Sequence, residues 1–528
     1  MRHTISNRRP VQLVGVLMSL ALATTPLLGQ GQPLPPAGID AYVEHVMRAF
    51  EVPGVALAIV KDGHVALAQG FGVRTMGKSD RVNERTLFGI ASNTKAFTAT
   101  ALGLLVEEGR LGWDDPVVDH LPWFRMSDPY VTRELTIRDL LVHRSGFGLG
   151  AGDLLWWPPS TYNRKEIARR LRHVPLATSF RSAYAYDNVL YTVAGEVIEE
   201  LTGQSWEEFV TTRILTPIGM TGSNARHSDV GAGGNIASTH ARIDGKVRPV
   251  NPFASDNTNP AGGINASAAD MAKWLIVQLD SGRVGHDRLF SERTARELWT
   301  LVTPIPAGAP APELAALRSS FNGYALGFFV RDYRGHKLVT HTGGLPGYVS
   351  RVAMLPDHKV GVAVLTNQES GAAFNAIAWH VLDHYLGADD TDWLAAYEAV
   401  MARYEAHMGA MDEGITTARN EHADPSLPIQ SYTGTYADPW YGDITIAIED
   451  GAPVIRFMQT PVLIGDLEHW QYDTFVARWR DRELRADAFI TFVLDPNGRI
   501  EEAKMQAVSP RTDFSFDFHH LRLTPVRR

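Results

Sequence analysis

The sequence predicts an α/β (α+β) domain, in which an antiparallel sheet is flanked by helices and carries a helical subdomain, followed by a separate all-β barrel. Two observations lead there. Apolar, strand-like runs occur near residue 60 and return between residues 325 and 366, with helical patterns between them, so one sheet pairs an N-terminal hairpin with late strands. Beyond residue 428 short alternating runs are separated by turn residues, as in an antiparallel meander.

Each element follows in order. Residues 1–31 read as a secretory signal, with Arg2, Arg8 and Arg9 before an uncharged, mostly apolar run at 11–28. Thr24, Thr25 and Pro26 interrupt that run, which favours cleavage near Gln30 or Gln32 over a membrane anchor. The expected location is periplasmic or secreted, with no stable membrane span afterwards.

The α/β domain is expected at 35–388. Residues 54–60 and 65–71 flank Lys61-Asp62-Gly63, a hairpin signal. Helical patterns with polar loops run from Ser92 to about Leu279. Strand-like runs at 325–330, 349–355 and 360–366 follow, the last two joined by Pro356-Asp357. Their apolar character suits a sheet covered on both faces. Residues 389–428 read as a linker with a charged helix from Asp392 to about Met411.

The barrel is expected at 429–528. Ile444, Ile446 and Ile448 alternate before Glu449-Asp450-Gly451, and Asp495-Pro496-Asn497-Gly498 is a second turn. Phe514, Phe516 and Phe518 alternate again, as a last strand would. Trp440, Trp470 and Trp479 are expected in its core. Three roles fit this tail: binding an apolar ligand, closing over a cleft to limit what enters, or assembling a homo-oligomer.

Composition narrows the chemistry. The chain has 528 residues, 45% hydrophobic and 21% charged, enough for at least two cores. A net charge of -9 without a long basic run offers no footprint for nucleic acid. There is no cysteine, so any nucleophile is an oxygen or an amine.

Three clusters carry chemistry. Lys95 is the only charged residue between Ala91 and Val106, in a helix apolar enough to be buried nearly all round. Burial drives a lysine toward its neutral, proton-accepting form. Ser92 lies one turn earlier on the same face, with Cβ atoms about 5–6 Å apart, so Lys95 can activate it. An N-cap serine and a lysine snorkelling to solvent is the structural alternative. Tyr186-Asp187-Asn188 brings a phenol and an amide toward one cleft. His341-Thr342-Gly343-Gly344 ends a strand-like stretch whose glycines permit close backbone approach to a ligand.

Ser92-x-x-Lys95, Tyr186-x-Asn188 and His341-Thr342-Gly343 together resemble the three motifs of penicillin-binding proteins and serine β-lactamases. Leu140-Leu141-Val142-His143-Arg144-Ser145-Gly146 and Pro260-Ala261-Gly262-Gly263 resemble landmarks of the class C β-lactamase, D-aminopeptidase and esterase branch, so the likeness covers about 38–387. The tail resembles the lipocalin-like domains appended to some of these hydrolases.

The resemblance implies a β-lactamase/transpeptidase-like fold. Ser92 would form an acyl-enzyme, with Lys95 and Tyr186 sharing acid and base work. Asn188, His341, Thr342 and Gly343 would bind substrate, and the backbone N–H groups of Ser92 and Gly344 would form the oxyanion hole. No cofactor or metal is implied, and the partner would be a small-molecule or peptide substrate.

One departure matters. Many members carry lysine where this chain has His341, and histidine is a weaker cation for a substrate carboxylate. That shifts the expected substrate from β-lactams toward small or linear peptides, including those with D-residues. Carboxylesterase, β-lactamase, and a penicillin-binding sensor or binding module are the alternatives.

Gly72-Val73-Arg74-Thr75-Met76-Gly77-Lys78-Ser79 also fits the phosphate-loop pattern. The polar residues after it do not supply the helix that such a loop requires. Trp156-Trp157-Pro158-Pro159 fits either an apolar subsite wall or core packing.

Overall fold

The computed structural model describes residues 34–229, 234–388 and 391–526. The expected export signal lies outside them. Among the described residues no helix is long and apolar enough to cross a membrane.

The hairpin β1 (Gly54–Lys61) and β2 (His64–Gly72) turns at Asp62 and Gly63, both with positive φ, as a two-residue type I′ loop requires. Six later strands complete the sheet: β3 (Thr303–Pro304), β4 (Asn322–Tyr324), β5 (Phe329–Tyr333), β6 (His336–Leu345), β7 (Tyr348–Leu355) and β8 (Val360–Thr366). The order is β2-β1-β8-β7-β6-β5-β4-β3, antiparallel throughout.

β1 and β8 are buried on both faces, and alternation sends their residues into two cores. Val55, Leu57 and Ile59 join Val362 and Val364 against α1 (Ile39–Ala49). Ala56, Ala58 and Ala363 join the other core, which contains α2 (Thr94–Glu107), α3 (Val189–Thr202) and α4 (Ala268–Leu279). α5 (Gly371–Leu386) and the first residues of α6 (Trp393–Thr417), notably Trp393 and Tyr397, cover the α1 side.

Two expected strands are corrected. Residues 325–330 are not one strand: Ala325, Leu326, Gly327 and Phe328 form the turn between β4 and β5, closed by Ala325 N–H donating to Phe328 O at 2.7 Å. Their apolar character serves burial against α2. A Cβ on Gly327 would lie 2.8 Å from Lys95 O, so only glycine fits there. Residues 514–518 form a loop ending in a short 3₁₀ turn at Phe518–His520, because Phe514 turns away toward the large domain.

The phosphate-loop-like segment is a turn after β2 with no helix behind it. That removes the structural basis for a nucleotide reading.

The tail is an eight-stranded, nearly closed antiparallel barrel. Its strands are β9 (Gly434–Asp438), β10 (Gly442–Glu449), β11 (Ala452–Phe457), β12 (Ile464–Gln471), β13 (Thr474–Trp479), β14 (Ala488–Leu494), β15 (Ile500–Ala507) and β16 (Thr524–Pro525). A bridge from Ala503 to Leu523 brings β15 toward the chain entering β16. Trp440 and Trp479 are buried in the barrel core, whereas Trp470 is half-buried, with the Arg419 guanidinium 4.8 Å above its ring.

The barrel packs on the large domain through one continuous apolar cluster. Tyr162 Oη donates to Tyr441 O at 2.5 Å, Arg170 to Trp440 O at 3.0 Å, and Arg485 pairs with Glu369 at 2.6 Å.

Candidate active site

Ser92 lies in a single 3₁₀ turn, Ala91–Asn93, between a two-residue strand at Phe88–Gly89 and α2. Ala91 adopts φ 49°, a left-handed conformation costly for a residue with a Cβ. Surrounding bonds hold the turn: Ile90 N–H donates to Ile264 O at 2.9 Å, Asn93 Nδ2 to Ser350 Oγ at 2.7 Å, and Ser350 Oγ to Ile90 O at 2.7 Å. Ser92 makes no side-chain cap for α2, which disposes of the N-cap reading.

All residues of α2 from Thr94 to Leu105 are buried, so Lys95 has no route to solvent. Its Nζ lies 3.1 Å from Ser92 Oγ, 2.7 Å from Asn188 Oδ1 and 3.0 Å from Ala261 O. The Tyr186 and Tyr191 rings lie 4.9 and 5.2 Å away. Burial pushes the Lys95 ammonium down to about 7, against the opposing pull of Asp153 and Asp187.

Tyr186 is half-buried at the cavity wall. Burial pushes its phenol well above the ordinary tyrosine range, and a hydrogen bond with Ser92 draws it partly back. Asn188 begins α3, and its Nδ2 donates to Asp153 Oδ2 at 2.9 Å. This contact turns its carbonyl toward Lys95.

His341 lies within β6 rather than at a strand end, because the strand continues to Leu345. Its Nδ1 is 2.5 Å from Thr342 O and its Nε2 is 2.8 Å from the Tyr324 hydroxyl, so both ring nitrogens are engaged. Burial, helped by the charge of Lys95, pushes it down to about 3. The ring is therefore neutral near pH 7 and is no cation at all.

Gly343 is fixed by packing. A Cβ there would sit 2.2 Å from Ile90 O and 2.6 Å from Ser350 Oγ, whereas one on Gly344 would meet open space.

Ser92, Tyr186, Asn188, His341, Thr342 and Gly344 line one cavity of about 420 Å³, with Lys95 beneath it and Gly343 behind. Trp156, Trp157, Tyr184, Phe253, Phe329 and Phe514 form aromatic walls. The Trp157 and Phe253 rings stack at 5.2 Å, so the tryptophan pair serves both packing and the wall. Among the described residues no lysine or arginine lines the cavity, and Asp513 is the one carboxylate there.

Sequence reasoning missed Asp153, Tyr324 and the barrel residues Phe514 and Ser515. An aspartate inside the apolar run Gly152-Asp153-Leu154-Leu155-Trp156 was a usable signal, since a buried carboxylate needs partners. Tyr324 and the barrel contacts depend on tertiary packing.

Comparison with known proteins identifies the family of the fold. The Beta-lactamase family model matches residues 39–386, and a domain of unknown function, DUF3471, matches 418–525. The unguisins hydrolase ungD of Aspergillus violaceofuscus is 27% identical over 470 residues, covering 82% of this chain and 81% of that protein. Protein flp of Staphylococcus aureus is 28% identical over 342 residues, covering 63% of each.

The octameric penicillin-binding protein homologue from Pyrococcus abyssi superposes with a TM-score of 0.58 at 22% identity, covering 92% of this chain and 98% of that one. A class C β-lactamase superposes at 0.54 and 17% identity, over 65% and 94% of the two chains. With a family model spanning more than half of its length, the chain belongs to the Beta-lactamase family of serine hydrolases.

Proposed function

We propose that this protein is an exported serine hydrolase that works through an acyl-enzyme on Ser92 and cleaves small or linear peptides, including those with D-residues. The observation that carries the reading is the set of contacts around Lys95. A neutral amine has two N–H donors and one lone pair, and its neighbours are two carbonyl oxygens and one hydroxyl. The N–H groups donate to Asn188 Oδ1 and Ala261 O, and the Ser92 hydroxyl donates to the lone pair.

Lys95 then takes the serine proton as Ser92 Oγ attacks the scissile carbonyl. Tyr186, a neutral phenol beside Ser92, passes a proton to the leaving amine. The backbone N–H groups of Ser92 and Gly344 receive the carbonyl oxygen. Water enters after the amine leaves and releases the acid by the reverse proton path.

Charge and shape support the substrate class. Among the described residues the cavity is lined by no lysine or arginine, and with His341 neutral it offers no fixed cation to a substrate carboxylate, while its aromatic walls suit apolar side chains. The similarity to the unguisins hydrolases runs through most of both chains, which supports hydrolysis as the reaction.

A panel of D- and L-aminoacyl amides, p-nitrophenyl esters and nitrocefin, run beside Ser92→Ala, tests the proposal. Turnover of the amides that vanishes in Ser92→Ala is expected. Turnover of esters alone makes the protein an esterase.

A further inference from the structure

The loop at 513–517, between β15 and β16, leaves the barrel and enters the wall of the active-site cavity. Phe514 meets the Tyr186 ring edge-on at 6.2 Å. Asp517 Oδ2 accepts from Gly152 N–H at 2.7 Å. Between these contacts Ser515 Oγ donates to Asp153 Oδ2 at 2.9 Å.

Asp153 is fully buried, and three donors converge on it. Trp156 Nε1 reaches Oδ1 at 2.9 Å, while Asn188 Nδ2 and Ser515 Oγ both reach Oδ2 at 2.9 Å. Lys95 Nζ donates to Asn188 Oδ1 at 2.7 Å, so the Asn188 carbonyl faces Lys95 and its NH₂ is left to Asp153. The alternative rotamer would leave a buried donor facing the Lys95 N–H groups.

We infer that Asp153 and Ser515 are positioning residues: the barrel's serine holds the aspartate, the aspartate fixes the Asn188 amide, and the amide holds Lys95 on Ser92. The barrel is thereby part of the catalytic machinery and not only a wall around it. The inference rests on the proposed acyl-enzyme reading. Neither residue touches the reacting atoms.

The contacts onto Lys95 give this arrangement a signature that packing alone lacks. Lys95 is faced by the carboxyls of Asp153 and Asp187, the rings of His143 and His341, and the phenols of Tyr186 and Tyr191. Asn188 Oδ1 accepts from Lys95 Nζ at 2.7 Å, a contact that favours the charged amine. Without Ser515 the Asp153 side chain and the Asn188 amide are held less firmly, and the Lys95 ammonium loses part of that support. Lys95 then deprotonates at lower pH.

The experiment measures the rate at which a fluorophosphonate labels Ser92 in the full chain between pH 5 and 9. Ser92 Oγ displaces fluoride from phosphorus, and the hydroxyl proton goes to Lys95. Wild type, Ser515→Ala and Asp153→Asn are compared, with Ser92→Ala as the blank. Ser515→Ala is expected to label about tenfold more slowly, the upper scale of one neutral hydrogen bond, with its acid limb moved to lower pH. Asp153→Asn should lose more, with the limb moved the same way.

Wild-type rates and limbs in both variants, or slower labelling with an unmoved limb, would overturn the inference. If Asp153→Asn does not fold, Ser515→Ala decides alone. An unlabelled Ser92 in the wild type defeats the acyl-enzyme reading and this inference with it. Normal wild-type labelling with an unaltered Ser515→Ala defeats this inference only.

Discussion

Lys95 Nζ lies 3.1 Å from Ser92 Oγ and 2.7 Å from Asn188 Oδ1, inside a helix with no exposed residue from Thr94 to Leu105. A charged amine there is costly, and the chain supplies two carbonyl acceptors that a neutral one satisfies. Lys95→Met should therefore lower kcat by about 10²–10⁴-fold, the usual contribution of a general base. Lys95→Arg should not rescue it, because a guanidinium does not release its proton. Steady-state kinetics on any turned-over substrate checks both.

The pH dependence follows from the same residue. Only the deprotonated amine accepts the serine proton, and Lys95 deprotonates near pH 7. Below that pH the active fraction falls about tenfold per unit, and above it the rate levels off. A kcat/KM profile rising to a plateau through pH 7 is expected in wild type. A profile flat from pH 5 to 9 would contradict Lys95 as the base.

Gly343 and Gly344 are neighbours with opposite steric demands. A Cβ on Gly343 collides with Ile90 O, beside the turn that carries Ser92, while one on Gly344 meets nothing within 4 Å. Gly343→Ala should cost on the order of 1–3 kcal/mol in stability, as overpacking does, together with most of the activity. Gly344→Ala should leave the thermal midpoint near that of wild type. Thermal melts and kcat for the two variants separate these outcomes.

Much of this site was legible in the sequence because its signals are local. A single lysine in an apolar helix marks its own burial, and Ser92 stands one turn away. The sheet was legible for the same reason, since apolar runs at 54–60 and 360–366 can only be interior strands. At 325–330 the reading failed: the run is apolar because α2 covers it, and Gly327 bends it into a turn. The phenylalanines at 514, 516 and 518 misled similarly, since their spacing of two arises in a loop whose Phe514 meets Tyr186 while Phe518 packs in the barrel. Contacts such as Ser515 with Asp153, 362 residues apart in sequence, carry no local pattern.

His341 was read as a weak cation, and the structure makes it weaker still, with both nitrogens occupied. His341→Lys would restore a cation at the cavity wall. The expected result is a preference moved several-fold toward free-acid peptides over their amides, measured as a ratio of kcat/KM values. An unchanged ratio would remove charge at this position as the reason for excluding carboxylates.

Phe514 comes from the barrel and narrows the cavity beside Tyr186. Phe514→Ala should raise kcat/KM for substrates with bulky side chains relative to alanyl ones by about tenfold, the lower end of the 10–200-fold that a change of apolar fit commands. A paired series of alanyl and phenylalanyl amides reads this directly.

The proposed mechanism stands on Ser92 as the nucleophile. Intact-protein and peptide mass spectrometry after fluorophosphonate treatment tests it most directly. One adduct per chain is expected, on Ser92, absent from Ser92→Ala and strongly slowed in Lys95→Met. Folded wild-type protein that turns over an amide or ester while Ser92 stays unmodified, or an adduct on another serine that tracks the loss of activity, would contradict it.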